Sequence, residues 1–510
     1  MPLRVLIFSL AAAIALSFLV DALAVPGASW RRSAAGVALH LTGAVFLYSL
    51  AFAASSRPWF SGFVAVGLVG LMTAVSNAKY ASLREPFVFT DLSLFSQLFS
   101  HPRLYLPFLS ALTIAGAVIG AGVFVASFIT DVALVPSLPD VAFLVAVISI
   151  ALGYLLAARM PLALVPADDQ RRHGFFAVFI AYLLNGLRPA TVRAFQRAVE
   201  SGPFAEGAPA HTPDVIVIQS ESFFDARRLG PAIRASLLTN IDTARRESFQ
   251  YGKLTVPAWG ANTMRTEFSL LTGLRENSLG YARFYPYAFL RRPCASLASW
   301  FKRAGYRTLA IHPYYADFFG RKRVFGLLDF DRFIDIASFG HAPRSGPYVA
   351  DSAVADSIVA HLEAGQRYPA FVFSMTMENH GPLHLETAAP GESAAYHTLG
   401  EDTQWRDLTV YLRHLANADA MVARLLAHLR ARDRETVLCF YGDHVPALPH
   451  VFAGLGAQPA RTDYFIWRSF GSALAKKENM SVDELGQAVL RAIETRDSRM
   501  ESASELQTTK

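Results

Sequence analysis

Four segments in the C-terminal two-thirds of the chain carry side chains able to do chemistry, and each sits where a strand-like run stops. The segment 216–225 reads IVIQSESFFD and places Glu221 directly after a buried-type strand. Ligands of open α/β sheets bind beyond the carboxyl ends of the strands, so a carboxylate there can take a metal ion; a helix-capping Ser-Glu pair is the alternative use. Tyr441-Gly442-Asp443-His444 closes a second such run, and Pro446 ends any continuation. Adjacent Asp and His can reach one divalent ion when the backbone turns sharply, which Gly442 permits; a β-turn with a surface histidine is the competing reading.

The third segment, 260–273, reads GANTMRTEFSLLTG. A loop of small residues feeding a helix near Thr263 would aim backbone N–H groups and the positive helix end at an anion. A metal-activated threonine hydroxyl at that point could attack phosphorus, although Thr before an amphipathic run more commonly serves as an N-cap. The fourth set is His312, after the run 308–312, and His380 in Met377-Glu378-Asn379-His380-Gly381-Pro382. Single histidines near strand ends are more often packed or surface residues. Several polar strand ends in one domain together favour a shared site.

The elements that must position these groups follow from hydrophobic patterning. Runs 215–220, 253–257, 308–312, 370–377 and 436–441 read as strands, several of them continuously apolar as expected for a sheet covered on both faces. The spacing predicts an α/β sandwich from about residue 212, closing with a helix over 482–495 whose Ser481 and Glu484 form a capping box. The polar tail 497–510 reads as disordered.

The first third is different in kind. Residues 1–158 hold five acidic and seven basic side chains out of 41 and 47 in the whole chain, which marks a lipid-embedded segment. Apolar stretches at 5–25, 34–54, 59–75, 104–129 and 141–158 are each near the roughly 20 residues that cross a hydrocarbon layer. Five spans are expected, the first with a cleaved signal as its alternative because Ala22, Leu23 and Ala24 imitate a cleavage site. A sixth run, 175–184, reaches only about 15 Å as a helix and reads as interfacial, flanked by Arg171, Arg172 and Arg188. Five spans put the C-terminal domain on the side opposite the N-terminus. Charge bias points the other way, since Arg31, Arg32, Lys79, Arg84 and Arg103 fall in the first and third connections.

Two cysteines, Cys294 and Cys439, build no disulfide framework and no zinc-like pair. The net charge of +6 comes almost wholly from arginine, and no basic tract long enough for nucleic acid occurs, so no nucleic-acid partner is expected.

In chain order these motifs resemble the lipoteichoic acid synthase and phosphoglycerol transferase family of the alkaline phosphatase/sulfatase superfamily. The likeness covers about 212–470, and in the membrane part Asn77-Ala78-Lys79-Tyr80 and the stretch from Arg84-Glu85-Pro86 to Asp91-Leu92 look like that family's external loop. The resemblance implies a multi-pass α-helical membrane domain followed by an α/β alkaline phosphatase/sulfatase-like domain. The expected division is a transmembrane part at 1–160, an interfacial helix and linker at 161–211, and a catalytic domain at 212–496. It implies a divalent metal, most simply Mn2+ with Mg2+ or Zn2+ as alternatives, held by Glu221, Thr263, Asp443 and His444, with Thr263 as nucleophile. Thr263 is preferred to Thr266 because the family spacing puts it four before Glu267-Phe268. His312, Arg321 and His380 match the substrate pocket, and Phe319 stands where the family usually has tryptophan.

The implied activity is a metal-dependent phosphoglycerol transferase at the bacterial inner (cytoplasmic) membrane, with its catalytic domain on the periplasmic or extracellular side. Phosphatidylglycerol would be the donor, a glycan or glycerol phosphate polymer the acceptor, and the lipid bilayer a third partner. Arg321 would bind the phosphate bidentately, and His380 or His312 would move the proton. A phosphoethanolamine transferase, a sulfatase-like phosphodiesterase and a non-enzymatic membrane protein are the alternatives. A sulfatase proper needs a C-x-P-x-R setting, which Arg-Pro-Cys-Ala-Ser around Cys294 lacks.

Overall fold

A computed structural model describes residues 2–94, 111–134, 138–365, 367–471 and 474–495. The chain forms two compact units, Met1–Arg193 and Ala194–Lys510.

The first unit is helical: α1 (Pro2–Asp21), α2 (Ala34–Ser55), α3 (Pro58–Leu83), α4 (Ala111–Thr130) and α5 (Leu138–Arg159). Four of these, α1 from Leu3 and all of α2, α3 and α5, are long and apolar enough to cross a membrane; α4 contributes a shorter apolar stretch, Val118–Thr130. Residues 104–110, where the fourth expected span begins, lie outside the described residues. Large apolar side chains such as Leu3, Phe8, Leu19 and Leu71 face outward, as lipid contact requires, while small residues let the helices approach. At Gly36 the carbonyl of His173 comes so close that a Cβ would stand 2.4 Å from its oxygen.

Helix α3 runs eight residues beyond the expected end at Val75. Asn77, Ala78, Lys79 and Tyr80 are therefore helical, which corrects the expectation of a loop there. The polar groups of this last stretch are satisfied from its side: Asn77 accepts from Val25 N at 2.7 Å, and Lys79 Nζ lies 2.7 Å from Asp91 Oδ2. Asp131, just past α4, accepts from Trp59 N and Phe60 N at the start of α3. Asp21, at the end of α1, accepts from Phe176 N at the opposite end of the bundle. Helix α6 (Phe175–Gly186) begins there beside Gly36 and finishes where Asn185 Nδ2 donates to Ala157 O near the end of α5. Both its termini thus lie at one end, so α6 runs across the bundle rather than along it. A bend of 66° leads into α7 (Pro189–Glu200).

The second unit is built on a mixed sheet of β1 (Asp214–Ser220), β2 (Gln250–Thr255), β3 (Arg307–Ile311), β4 (Arg332–Ile334), β5 (Ala370–Met375), β6 (Thr436–Gly442), β7 (Thr462–Arg468) and β8 (Lys476–Lys477). Its order is β8-β2-β7-β6-β1-β5-β3-β4, with Met480–Ser481 also pairing with β2. Every residue of β1, β5 and β6 is buried, which is why these runs read as continuously apolar. The five strands expected from the sequence all form. The reading missed β7, TDYFIWR, whose polar ends disguise a fully buried strand lying antiparallel between β2 and β6.

Helices α8 (Thr263–Thr272), α9 (Arg321–Leu327), α10 (Asp351–Glu363), α11 (Arg406–Ala431) and α12 (Val482–Glu494) cover the sheet. The long α11 buries one apolar stripe, including Leu408, Leu412, Leu415 and Val422, in the larger core. Glu484 accepts from Ser481 N at 3.0 Å, so the expected capping box opens α12. The tail at 497–510 lies outside the described residues.

Candidate metal and nucleophile site

Strands β1 and β6 are parallel neighbours with Ser220 opposite Gly442. The residues that follow, Glu221 and Asp443, therefore emerge side by side at the carboxyl edge, about one strand spacing apart. Gly442 is needed there: a Cβ would stand 1.8 Å from Phe223 O. Ser222 takes a left-handed turn, φ 53°, and its N–H donates to Asp443 Oδ1 at 2.8 Å. That strained conformation, unfavourable for a non-glycine residue, redirects the chain after Glu221.

Ligand atoms of Glu221, Asp443 and His444 lie within 4.8 Å of one another, and all three residues are buried. His444 Nε2 is 3.5 Å from Glu221 Oε1, 3.4 Å from Asp443 Oδ2 and 3.5 Å from Thr263 Oγ1. His444 Nδ1 donates to Val445 O at 3.0 Å, which leaves Nε2 as a lone-pair donor facing the carboxylates. Asp443 Oδ1 accepts from Ser222 N and His444 N, while Oδ2 is buried with no hydrogen-bond partner among the described residues. Burial, and then the neighbouring Asp443 charge, push the Glu221 carboxyl up to about 8, against the pull of His444. Two carboxylates, an imidazole lone pair and an orphaned oxygen around one point suit a divalent cation, whose charge would offset both acids.

Thr263 opens α8. Asn262 before it has φ 66° and makes no side-chain cap bond, so the ordinary N-cap reading does not describe this turn. The Thr263 hydroxyl is half-buried and faces His444, whereas Thr266, fully buried, donates to Asp443 O at 2.8 Å and holds the loop.

Arg321 is 2% exposed, with Phe318 and Phe319 stacked at 5.5 and 5.1 Å from its guanidinium carbon. Its Nε donates to Glu267 Oε2 at 3.1 Å and its Nη2 to Glu267 Oε1. The expectation of a bidentate grip on phosphate is corrected here: Glu267 occupies that fork, and among the described residues the buried Nη1 has no hydrogen-bond partner. Phe319 takes the left-handed conformation, φ 57°, and its ring covers the guanidinium rather than standing free.

His312 is buried; burial and then the Arg321 charge hold its imidazole well below the ordinary range, hence neutral. His380 is partly exposed, and its Nδ1 donates to Gly381 O at 2.7 Å. Tyr314 and Tyr348 join the two histidines in a chain of ring contacts, His312–Tyr314–Tyr348–His380, at 6.2, 6.3 and 5.4 Å. Sequence reading missed both tyrosines. It named Glu267 only as a spacing landmark, although its place one turn after Thr263 puts it on the same helix face. Burial pushes the Cys294 thiol up to about 12, so it offers no nucleophile.

The sequence profile of the sulfatase family matches residues 213–495. The chain belongs to the sulfatase family. A capsular polysaccharide biosynthesis protein of Rhizobium meliloti is 30% identical over 441 residues, covering 81% of this chain and 78% of the relative. A second protein of that organism, provisionally named for cyclic β-1,2-glucan modification, is 29% identical over 302 residues, 58% of this chain but only 46% of its own length. Among solved structures, the lipooligosaccharide phosphoethanolamine transferase A of Neisseria meningitidis superposes with a TM-score of 0.53 at 14% identity. That match covers 94% of this chain and 95% of the other, so the sulfatase-family likeness in fold includes the helical unit.

Proposed function

We propose that this chain moves a glycerol phosphate group from phosphatidylglycerol to a glycan or polyglycerol phosphate acceptor outside the bacterial inner membrane. The observation that carries the reading is the convergence of the Thr263 hydroxyl on His444, Glu221 and Asp443 at the start of a helix. A divalent ion held by Glu221, Asp443, His444 and Thr263, most simply Mn2+, would lower the hydroxyl pKa and neutralise phosphate charge.

In the first step Thr263 Oγ bonds to phosphorus, the bond to the diacylglycerol oxygen breaks, and that oxygen takes a proton. In the second an acceptor hydroxyl bonds to phosphorus, the bond to Thr263 Oγ breaks, and Thr263 regains its proton. His380 suits the proton transfers better than His312 because it is partly exposed, although burial lowers the pKa of both imidazoles. Arg321 Nη1 offers a single hydrogen bond to the phosphate. A lipid donor accords with the membrane helices and with α6 lying across one end of their bundle. The two Rhizobium relatives, named for capsular polysaccharide and β-glucan work, favour a glycan acceptor.

The test is intact-mass analysis of the purified full chain after incubation with phosphatidylglycerol and Mn2+. An adduct of one glycerol phosphate, missing in Thr263→Ala, is expected. No adduct, or one retained by Thr263→Ala, sinks the reading; an adduct formed instead from phosphatidylethanolamine moves the chain to a phosphoethanolamine transferase.

A further inference from the structure

Two glutamates bracket the segment that carries His380: Glu378 two residues before it and Glu386 six after. Both turn onto one side chain of α11. His414 Nδ1 lies 3.0 Å from Glu378 Oε1, and Nε2 lies 3.2 Å from each oxygen of Glu386. His414 and Glu378 are each 1% exposed.

A neutral imidazole has one N–H, so it would satisfy one glutamate and turn a lone pair toward the other. An imidazolium donates to both. The groups packed around it suit that state. Asn417 of α11 donates to Glu378 Oε1, Asp351 N at the start of α10 donates to Glu378 Oε2 at 2.7 Å, and Ser345 lies 3.3 Å from His414 Nδ1. Arg413 Nη2 donates to Glu386 at 2.8 Å and its Nη1 to Glu392. The Asp351 carboxyl stands close enough to Glu378 for burial and that charge to drive it well above the ordinary range, which leaves it neutral.

We infer that His414, as an imidazolium joining Glu378 to Glu386, is a positioning residue that fixes the His380 segment from α11. The inference rests on the proposed role of His380, which touches neither glutamate but is clamped between them. The short 344–349 hairpin holds the other side, where Tyr348 Oη lies 3.2 Å from Gly381 O and 3.3 Å from His380 Nδ1. Burial alone would lower the His414 pKa; hydrogen bonds to Glu378 and Glu386 overcome it and raise it to about 9. The clamp is therefore complete below the ordinary imidazole pKa and lost as pH rises through about 9.

Hydrogen–deuterium exchange of the full chain in detergent micelles tests this, corrected for intrinsic exchange and paired with turnover of phosphatidylglycerol. In His414→Gln, exchange across 378–386 should rise at least about tenfold while α11 and β5 are unchanged, and kcat should fall roughly 10- to 100-fold at constant KM. Glu386→Gln should do the same more weakly. Wild type should show the same loosening above about pH 9, and His414→Gln should have no such pH step. Unchanged exchange in this segment, or a rise spread equally over α11, overturns the inference. A wild type that exchanges as expected yet turns over no phosphatidylglycerol overturns the donor assignment instead.

Discussion

Glu267 stands one helical turn after Thr263 and accepts two hydrogen bonds from Arg321, so the helix that presents the hydroxyl is tied to the helix that presents the guanidinium. Both partners are almost wholly buried, and Tyr287 Oη adds a third bond to Glu267 at 2.7 Å. Breaking one side of such a pair leaves an uncompensated charge. Glu267→Gln should therefore cost about 3 kcal/mol or more in denaturant unfolding of the full chain, with Arg321→Met similar. The double change Glu267→Leu with Arg321→Met should cost less than either single one. If costs simply add, the two residues are not coupled.

The two threonines of α8 should separate cleanly. Thr263→Ala removes a hydroxyl whose contact with His444 is long, 3.5 Å, so turnover should drop on the order of 10^4-fold or more while the unfolding midpoint holds. Thr266→Ala deletes a buried bond to Asp443 O and should lower stability by about 1–2 kcal/mol with turnover partly retained. Opposite results would make Thr266 the nucleophile.

Raised to about 8, Glu221 gives the metal-free protein a definite pH response. A folded-state pKa above the unfolded value contributes stability below about pH 4.5, and that contribution is lost as pH rises through about 8. With chelator present the melting temperature should fall over that window; with Mn2+ it should recover, most strongly at the alkaline end. Manganese binding should tighten up to about tenfold per pH unit below pH 8 as Glu221 gives up its proton. Calorimetric titration at about pH 6 and pH 8 checks this, and equal affinities would show that Glu221 is not a ligand.

Gly442→Ala should be among the most damaging single changes. The added methyl meets a backbone oxygen, which cannot move without shifting Glu221, so metal binding should be lost even where the domain still folds. Circular dichroism with a manganese-binding assay separates those outcomes.

Much of this was legible from residue order because the central strands are buried on both faces and break sharply into polar residues. Glu221 and Asp443-His444 stand out as the first polar groups after runs such as VIVIQS and TVLCFYG. What stayed hidden depends on pairing across the fold. Strand β7 carries Asp463 and Arg468 in its length, so periodicity argues against burial, yet Asp463 receives Asp225 N and Arg228 once the chain closes. Arg321 reads as a free anion receptor until Glu267 is seen opposite it. Asn77 to Tyr80 read as a loop by family resemblance, and the bonds of Asn77 and Lys79 to neighbouring segments that accompany the longer helix are not visible in residue order.

Helix α12 packs against α8, where Gly486 comes close to Leu270 O, and β7 separates β2 from β6. Both come from the final fifty described residues. The helix that opens with Thr263 thus gains its neighbour from a segment distant in sequence, so local folding alone does not seat the threonine.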